Sequence, residues 1–186
     1  MHQEQSCQTS ALPKHPLHIE IATTIAKSLP TGYTLLRDPA CGGEQHLPLF
    51  VGQHKSRETR LCCVDLLIVK DNAIKGIIEI EESGFLPTKI CGKFLQAALT
   101  DHFIHDSQSD GPIKYSDDVL FLQILDGTGC LKPGTQKALQ GELIRQKISD
   151  LLPLGGLTKY QLFFVNGKDD LNGLNDVRKA ILDSFV

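Results

Sequence analysis

A chain of 186 residues that is 41% hydrophobic, 6% aromatic and 22% charged suits one domain with a real core and excludes an intrinsically disordered protein. Nineteen Lys and Arg against 22 Asp and Glu leave a formal charge of −3, which excludes a uniformly basic binder of nucleic acid; any phosphate affinity has to come from local patches. No run approaches the length of a membrane span and the opening MHQEQSCQTSAL lacks the apolar core of a signal peptide, so a cytoplasmic location is expected, with Cys7, Cys41, Cys62, Cys63, Cys91 and Cys130 as reduced thiols.

Residues 1–14 read as an irregular N-terminal segment and 15–186 as a single domain. Pro16 suits a first helical turn, and Leu17, Ile21, Ile25 and Leu29 repeat at four-residue steps, which predicts a helix to about Ser28, stopped by Pro30-Thr31-Gly32. Tyr33 to Arg37 reads as a strand, Asp38 to Glu44 as a loop and Leu47 to Val51 as a short strand containing Pro48. After a polar stretch come two apolar runs, VDLLIV and GIIEIEE, joined by a turn at Lys70 to Lys75 that contains Asp71-Asn72. Thr88 is placed to cap a helix bearing Ile90, Phe94, Ala97 and Ala98. A polar loop from His102 to Tyr115, a strand from Val119 to Leu125, a helix from Thr135 to about Leu152, a strand from Tyr160 to Val165 and a helix from Asn175 to Ser184 complete the chain. This order predicts a mixed α/β layer fold, without internal repeat or linker.

The chemistry is concentrated in three carboxylates. Glu79 and Glu81, two apart on one strand, share a face, whereas Ile78 and Ile80 point to the other. An antiparallel hairpin through Asp71-Asn72 brings Asp65 towards this pair. Their neighbours Val64, Leu66, Leu67, Ile68, Val69, Ile77, Ile78 and Ile80 mark the strands as central, where unneutralised acids are costly. Hard oxygen ligands suit Mg²⁺, with Mn²⁺ as an alternative, and such an ion activates water for phosphodiester hydrolysis. Glu82 falls on the opposite face from Glu81 and is set aside.

Other groups are weaker signals. The basic segment before the Asp65 strand holds His54, Lys55, Arg57 and Arg60, positioned for backbone contacts to double-stranded DNA. Cys41, His46, His54 and Cys62 have no recognised zinc spacing, so no zinc is expected, and Cys62 and Cys63 read as packing on a buried strand. Phosphate-binding glycine motifs are absent, so no nucleotide is expected; Gly42-Gly43 and Gly155-Gly156 read as turns.

Asp65 followed by Glu79-Ile80-Glu81, after an N-terminal helix and before an α/β remainder, resembles the PD-(D/E)XK nuclease superfamily over nearly the full length. Val64 stands before the Asp where Pro is usual, and Glu81 stands where most members have Lys. The resemblance implies a restriction-endonuclease-like three-layer fold, a central mixed sheet flanked by helices. It implies Asp65 and Glu79 as metal ligands with the Ile80 carbonyl as a third, Glu81 as the group that orients or deprotonates the attacking water, and Glu20 as the first-helix acid that some members contribute. Lys89 or Lys93, on the helix that follows, could reach the site and take the part of the missing Lys. Length, acidic balance and the lack of a recognition module resemble the small subunit of a heterodimeric type IIS restriction endonuclease. Such a subunit cuts one strand while a larger, site-recognising nuclease subunit cuts the other. A self-sufficient homodimeric nuclease and a non-catalytic scaffold of the same fold are the alternatives.

Overall fold

The computed structural model describes residues 15–52, 55–82, 84–105, 111–129, 131–132 and 134–185; the irregular segment 1–14 and His54 lie outside them. The described residues form four α-helices and eight strands in one mixed sheet.

Helix α1 (Pro16–Ser28) buries Leu17, Ile21 and Ile25, the face its periodicity predicts. Strand β1 (Thr34–Arg37) leads through a 3-10 turn at Pro39–Cys41 to β2 (Leu47–Phe50). Strands β3 (Arg60–Val64) and β4 (Leu66–Lys70) follow, separated only by Asp65, which sits at the bend between them. Asp65 therefore does not lie within a strand, and β3, which carries Cys62 and Cys63, is a strand separate from β4. Strand β3 is mostly exposed, so Cys62 and Cys63 are not on the buried strand expected of them: Cys62 is half-buried and Cys63 exposed.

β4 and β5 (Ala73–Glu81) form the expected antiparallel hairpin, Lys70 pairing with Ala73. Asp71 and Asn72 both have positive φ, 50° and 56°, as a two-residue turn matched to the strand twist requires. Helix α2 (Pro87–Ala98) starts at Pro87 with no side-chain cap, so Thr88 lies inside it. The expected polar loop contains the two-residue β6 (His102–Phe103) and the start of β7 (Ile113–Asp126), which runs well ahead of the predicted strand. Helix α3 (Lys137–Ser149), β8 (Leu157–Val165) and α4 (Leu171–Phe185) complete the order; Asp170 opens α4 early by accepting the Gly173 N–H at 3.1 Å.

The sheet runs β1-β4-β5-β7-β6-β2-β3, with β8 paired in parallel to the later part of β7. β5 and β7 are parallel, the pairing expected across an intervening helix. β3 stands at one end of this path and β4 next to the other end, yet Asp65 alone joins them. Leu17, Ile21, Ile25, Ile78, Ile80, Val177 and Ile181 form the core under α1 and α4. Ile77, Phe94, Phe121, Ile148 and Tyr160 form the core under α2 and α3, so the sheet lies between two helical layers.

The loop beside Asp65 is tightly packed. Asp38 N–H donates to the Asp65 carbonyl at 2.9 Å, and Gly43 N–H donates to the Asp38 carbonyl at 2.8 Å. A Cβ on Gly43 would stand 1.7 Å from the Arg37 carbonyl oxygen, a backbone atom that cannot swing aside. Gly43→Ala is expected to cost about 3 kcal/mol or more by overpacking. Thermal denaturation checks this, and an unchanged melting temperature would mean that the loop moves freely.

Candidate active site

The alternation of β5 places Glu79 and Glu81 on the α2 side of the sheet with Ile77, while Ile78 and Ile80 face α1 and α4. Both acids are buried, at 3% and 7% exposure. Asp65 reaches the same strand from the bend. The β4–β5 ladder ends at the pair Leu66 and Ile78, and two residues further the Ile80 N–H donates to Asp65 Oδ2 at 2.6 Å. The carboxylate thus extends the ladder in place of a main-chain carbonyl and is fixed beside Glu79.

Two lysines on α2 meet these acids. Lys93 Nζ lies 2.5 Å from Glu79 Oε2 and Lys89 Nζ lies 2.5 Å from Glu81 Oε2; their four-residue spacing puts both on one helix face. Burial pushes the Glu79 carboxyl up to about 8 against the opposing pull of Lys93, and Asp65 adds to the rise. Burial would lower the Lys93 ammonium, but the charges of Glu79, Asp65 and Glu81 outweigh it and hold it above its ordinary value. Lys93 thus feels the charge of all three acids. Burial, with the nearby Glu79 charge, pushes the Cys62 thiol up to about 12, as befits a packing group rather than a nucleophile. On β7, Gln123 pairs in register with Glu79 and is held by the Tyr160 hydroxyl, which donates to it at 2.7 Å, and by the Ile90 carbonyl at 3.2 Å.

The carboxylates of Asp65, Glu79 and Glu81 lie beside two ammonium groups; with Glu79 protonated the charges balance, and displacing its proton leaves one negative charge over. Hard oxygen donors with a surplus negative charge fit a divalent cation such as Mg²⁺. Ile80, whose carbonyl is the third expected ligand, is held at this point of β5 by the Asp65 contact.

Glu20 is not brought to this site. It lines a cleft between α1 and α4 with Lys27 and Arg178. The helix face that reaches Asp65 is that of His18, and two residues along a helix turn about 200° away from it. His18, which sequence reasoning missed, is 7% exposed; its Nε2 lies 3.8 Å from Asp65 Oδ1 and its Nδ1 3.1 Å from Glu82 Oε1. Glu82 is on the opposite face from Glu81, as expected, but it has a role there. It accepts the N–H groups of Leu17 and His18 at 2.8 and 3.1 Å, capping α1. Burial works to raise its carboxyl, but the hydrogen bonds from His18 and Leu17 prevail and hold it below the usual range. Lys55, Arg57 and Arg60 are exposed around a turn closed by Ser56 and Thr59. Cys41 packs in the core beneath α1 whereas Cys62 packs against the other core, so the cysteines considered for zinc do not converge.

Comparison with protein-family models, with curated proteins and with solved structures finds no match. The site thus rests on its own chemistry.

Glu79 makes stability depend on pH. The folded chain keeps the Glu79 proton up to about pH 8, whereas the unfolded chain releases it near 4.5. The folded state binds the extra proton in this window, so stability is full below it and falls as pH rises, by at most about 1.4 kcal/mol per pH unit. Without added metal, the melting temperature is expected to fall more steeply across this window in the wild type than in Glu79→Gln. Parallel profiles would show that Glu79 stays ionised throughout.

Proposed function

We propose that this chain is a Mg²⁺-dependent endonuclease subunit of the PD-(D/E)XK type, with the restriction-endonuclease-like form of the three-layer fold. It hydrolyses a phosphodiester bond in one strand of double-stranded DNA. The observation that carries the reading is the Asp65 carboxylate set beside Glu79 on β5, with Lys93 2.5 Å from Glu79 and Glu81 two residues further along the same strand face. Asp65 and Glu79, with the Ile80 carbonyl, are the groups that would hold the cation. A bound Mg²⁺ supplies Lewis acidity toward the scissile phosphate and its attacking water. Glu81 orients that water from the same strand face, two residues from Glu79. Lys93, brought in by α2, takes the part of the Lys that the motif lacks at Glu81 and offers positive charge to the phosphate oxygens. Exposed Lys55, Arg57 and Arg60 provide backbone contacts.

Dependence on a larger DNA-recognising subunit, as in a type IIS restriction system, is supported by the acidic net charge and by the α2–α3 surface. There Leu95, Leu143 and Leu151 are 50%, 57% and 59% exposed around a groove of about 400 Å³, the kind of apolar surface a partner covers. A second reading, a non-catalytic scaffold, is favoured by one observation: Lys93 and Lys89 already neutralise most of the acid charge. Metal titration separates the two. A nuclease chain binds Mn²⁺ or Mg²⁺ at Asp65 and Glu79; calorimetry showing no binding that depends on these residues would leave the scaffold. Among the described residues no helix is long and apolar enough to cross a membrane.

A further inference from the structure

The first turn of α1 carries a second constellation, on the other face of the sheet from Glu79 and Glu81. His15, the residue before the first helical position, and His18 stand with ring centroids 5.2 Å apart, and both look onto Glu82, just after β5. His18 Nδ1 lies 3.1 Å from Glu82 Oε1, and His15 Nδ1 lies 3.6 Å from Oε2. One ligand atom from each residue falls within 4.8 Å of the other two. Oε1 is engaged by the N–H groups of Leu17 and His18, but Oε2 faces only His15 in these contacts.

We propose that His15, His18 and Glu82 bind a divalent transition ion of the Zn²⁺ class, separate from the carboxylate site facing α2. Two imidazoles and one carboxylate form the borderline donor set that favours Zn²⁺, Co²⁺ or Ni²⁺ over Mg²⁺. Metal–ligand bonds of about 2.0–2.2 Å bring tetrahedral donors to about 3.3 Å apart, so the cluster has to contract slightly. His15, whose side chain is 49% exposed, has room to turn inward. The surroundings of His18 give an independent reason. Its Nε2 faces Asp65 Oδ1 at 3.8 Å, and a carboxylate behind the second ring nitrogen is the arrangement that orients a metal-binding histidine. Metal on Nδ1 fixes the proton on Nε2, directed at Asp65, and replaces the hydrogen bond between Nδ1 and Glu82. Occupancy therefore ties the start of α1 to the end of β5 and turns His18 into a donor toward the carboxylate site.

The test is titration of the full chain with Co²⁺ in the presence of excess Mg²⁺, followed by ligand-field absorption and calorimetry. The expected result is one Co²⁺ site, displaced by Zn²⁺ and weakened at least about tenfold in both His15→Ala and Glu82→Gln. His15→Ala is decisive because the half-exposed ring carries no core packing, whereas Glu82→Gln also touches the helix cap. Glu79→Gln lies on the other sheet face and is expected to retain the site, so loss of DNA cleavage with retained Co²⁺ binding separates this proposal from the nuclease reading. Unchanged affinity in His15→Ala, failure to bind Co²⁺ beside Mg²⁺, or loss of the site in Glu79→Gln would each overturn it.

Discussion

Asp65→Asn is expected to lower Mg²⁺-dependent cleavage by more than about 100-fold while leaving the fold in place, because groups merely supporting a metal ligand already account for 10–100-fold. The substitution is chosen for what it keeps. An amide oxygen can still accept the Ile80 N–H, so the contact that extends the β4–β5 ladder survives, and only the charge is lost. Glu79→Gln makes the same comparison on the strand itself, since its amide oxygen can still accept from Lys93. Both variants are to be tested in the proposed two-subunit assembly, scoring each strand separately, alongside melting temperature and Mn²⁺ affinity. If either variant still supports wild-type cleavage of both strands, these residues are not the catalytic acids.

Lys93→Met is expected to reduce cleavage about 100-fold, the scale of losing one group that stabilises developing charge, and Lys89→Met by less than about tenfold. The asymmetry follows from where the ammonium groups sit. Lys93 is 24% exposed against a Glu79 side chain that is 4% exposed, whereas Lys89 is 41% exposed beside Glu81. Removing one member of a buried pair ordinarily costs about 3–5 kcal/mol because the other charge is stranded. Glu79 escapes this, since its carboxyl is pushed up to about 8 even with Lys93 beside it and rises further when that ammonium is gone, so it stays protonated rather than stranded as a charge. At neutral pH the Lys93→Met chain is therefore expected to lose far more activity than stability. A large fall in melting temperature with an unchanged cleavage rate would make Lys93 a structural counter-ion.

The parts of the site legible in the sequence are those set by local rules. Period-two alternation fixed the common face of Glu79 and Glu81, and the Asp71-Asn72 turn fixed the hairpin that brings Asp65 to them. The strand expected at Cys62 and Cys63 exists as β3, but its exposure escaped because Arg60, Leu61 and Cys63 show no apolar alternation that marks one face as open. The first residues of β7 escaped for a similar reason: Lys114, Ser116, Asp117 and Asp118 look like a loop, but Lys114 pairs with Ala73 and His102, and residues 116–118 fall where the register with β5 shifts. His18 had no signal at all, since its partner Glu82 is 64 residues away. Glu20 was drawn in by its residue type, and helix rotation decides otherwise.

The bend at Asp65 has a consequence for how the gene can vary. Val64 is held in register by Leu47 of β2, and Leu66 by Ile78 of β5, so the residue between them is pinned from both sides. Adding or deleting one residue between Cys62 and Ile68, where both ladders run without a bulge, would either turn a whole strand inside out or be absorbed at Asp65 itself. Point substitutions in this segment can be tolerated one at a time; changes of length cannot, and this stretch should behave as a ruler with its mark at the carboxylate.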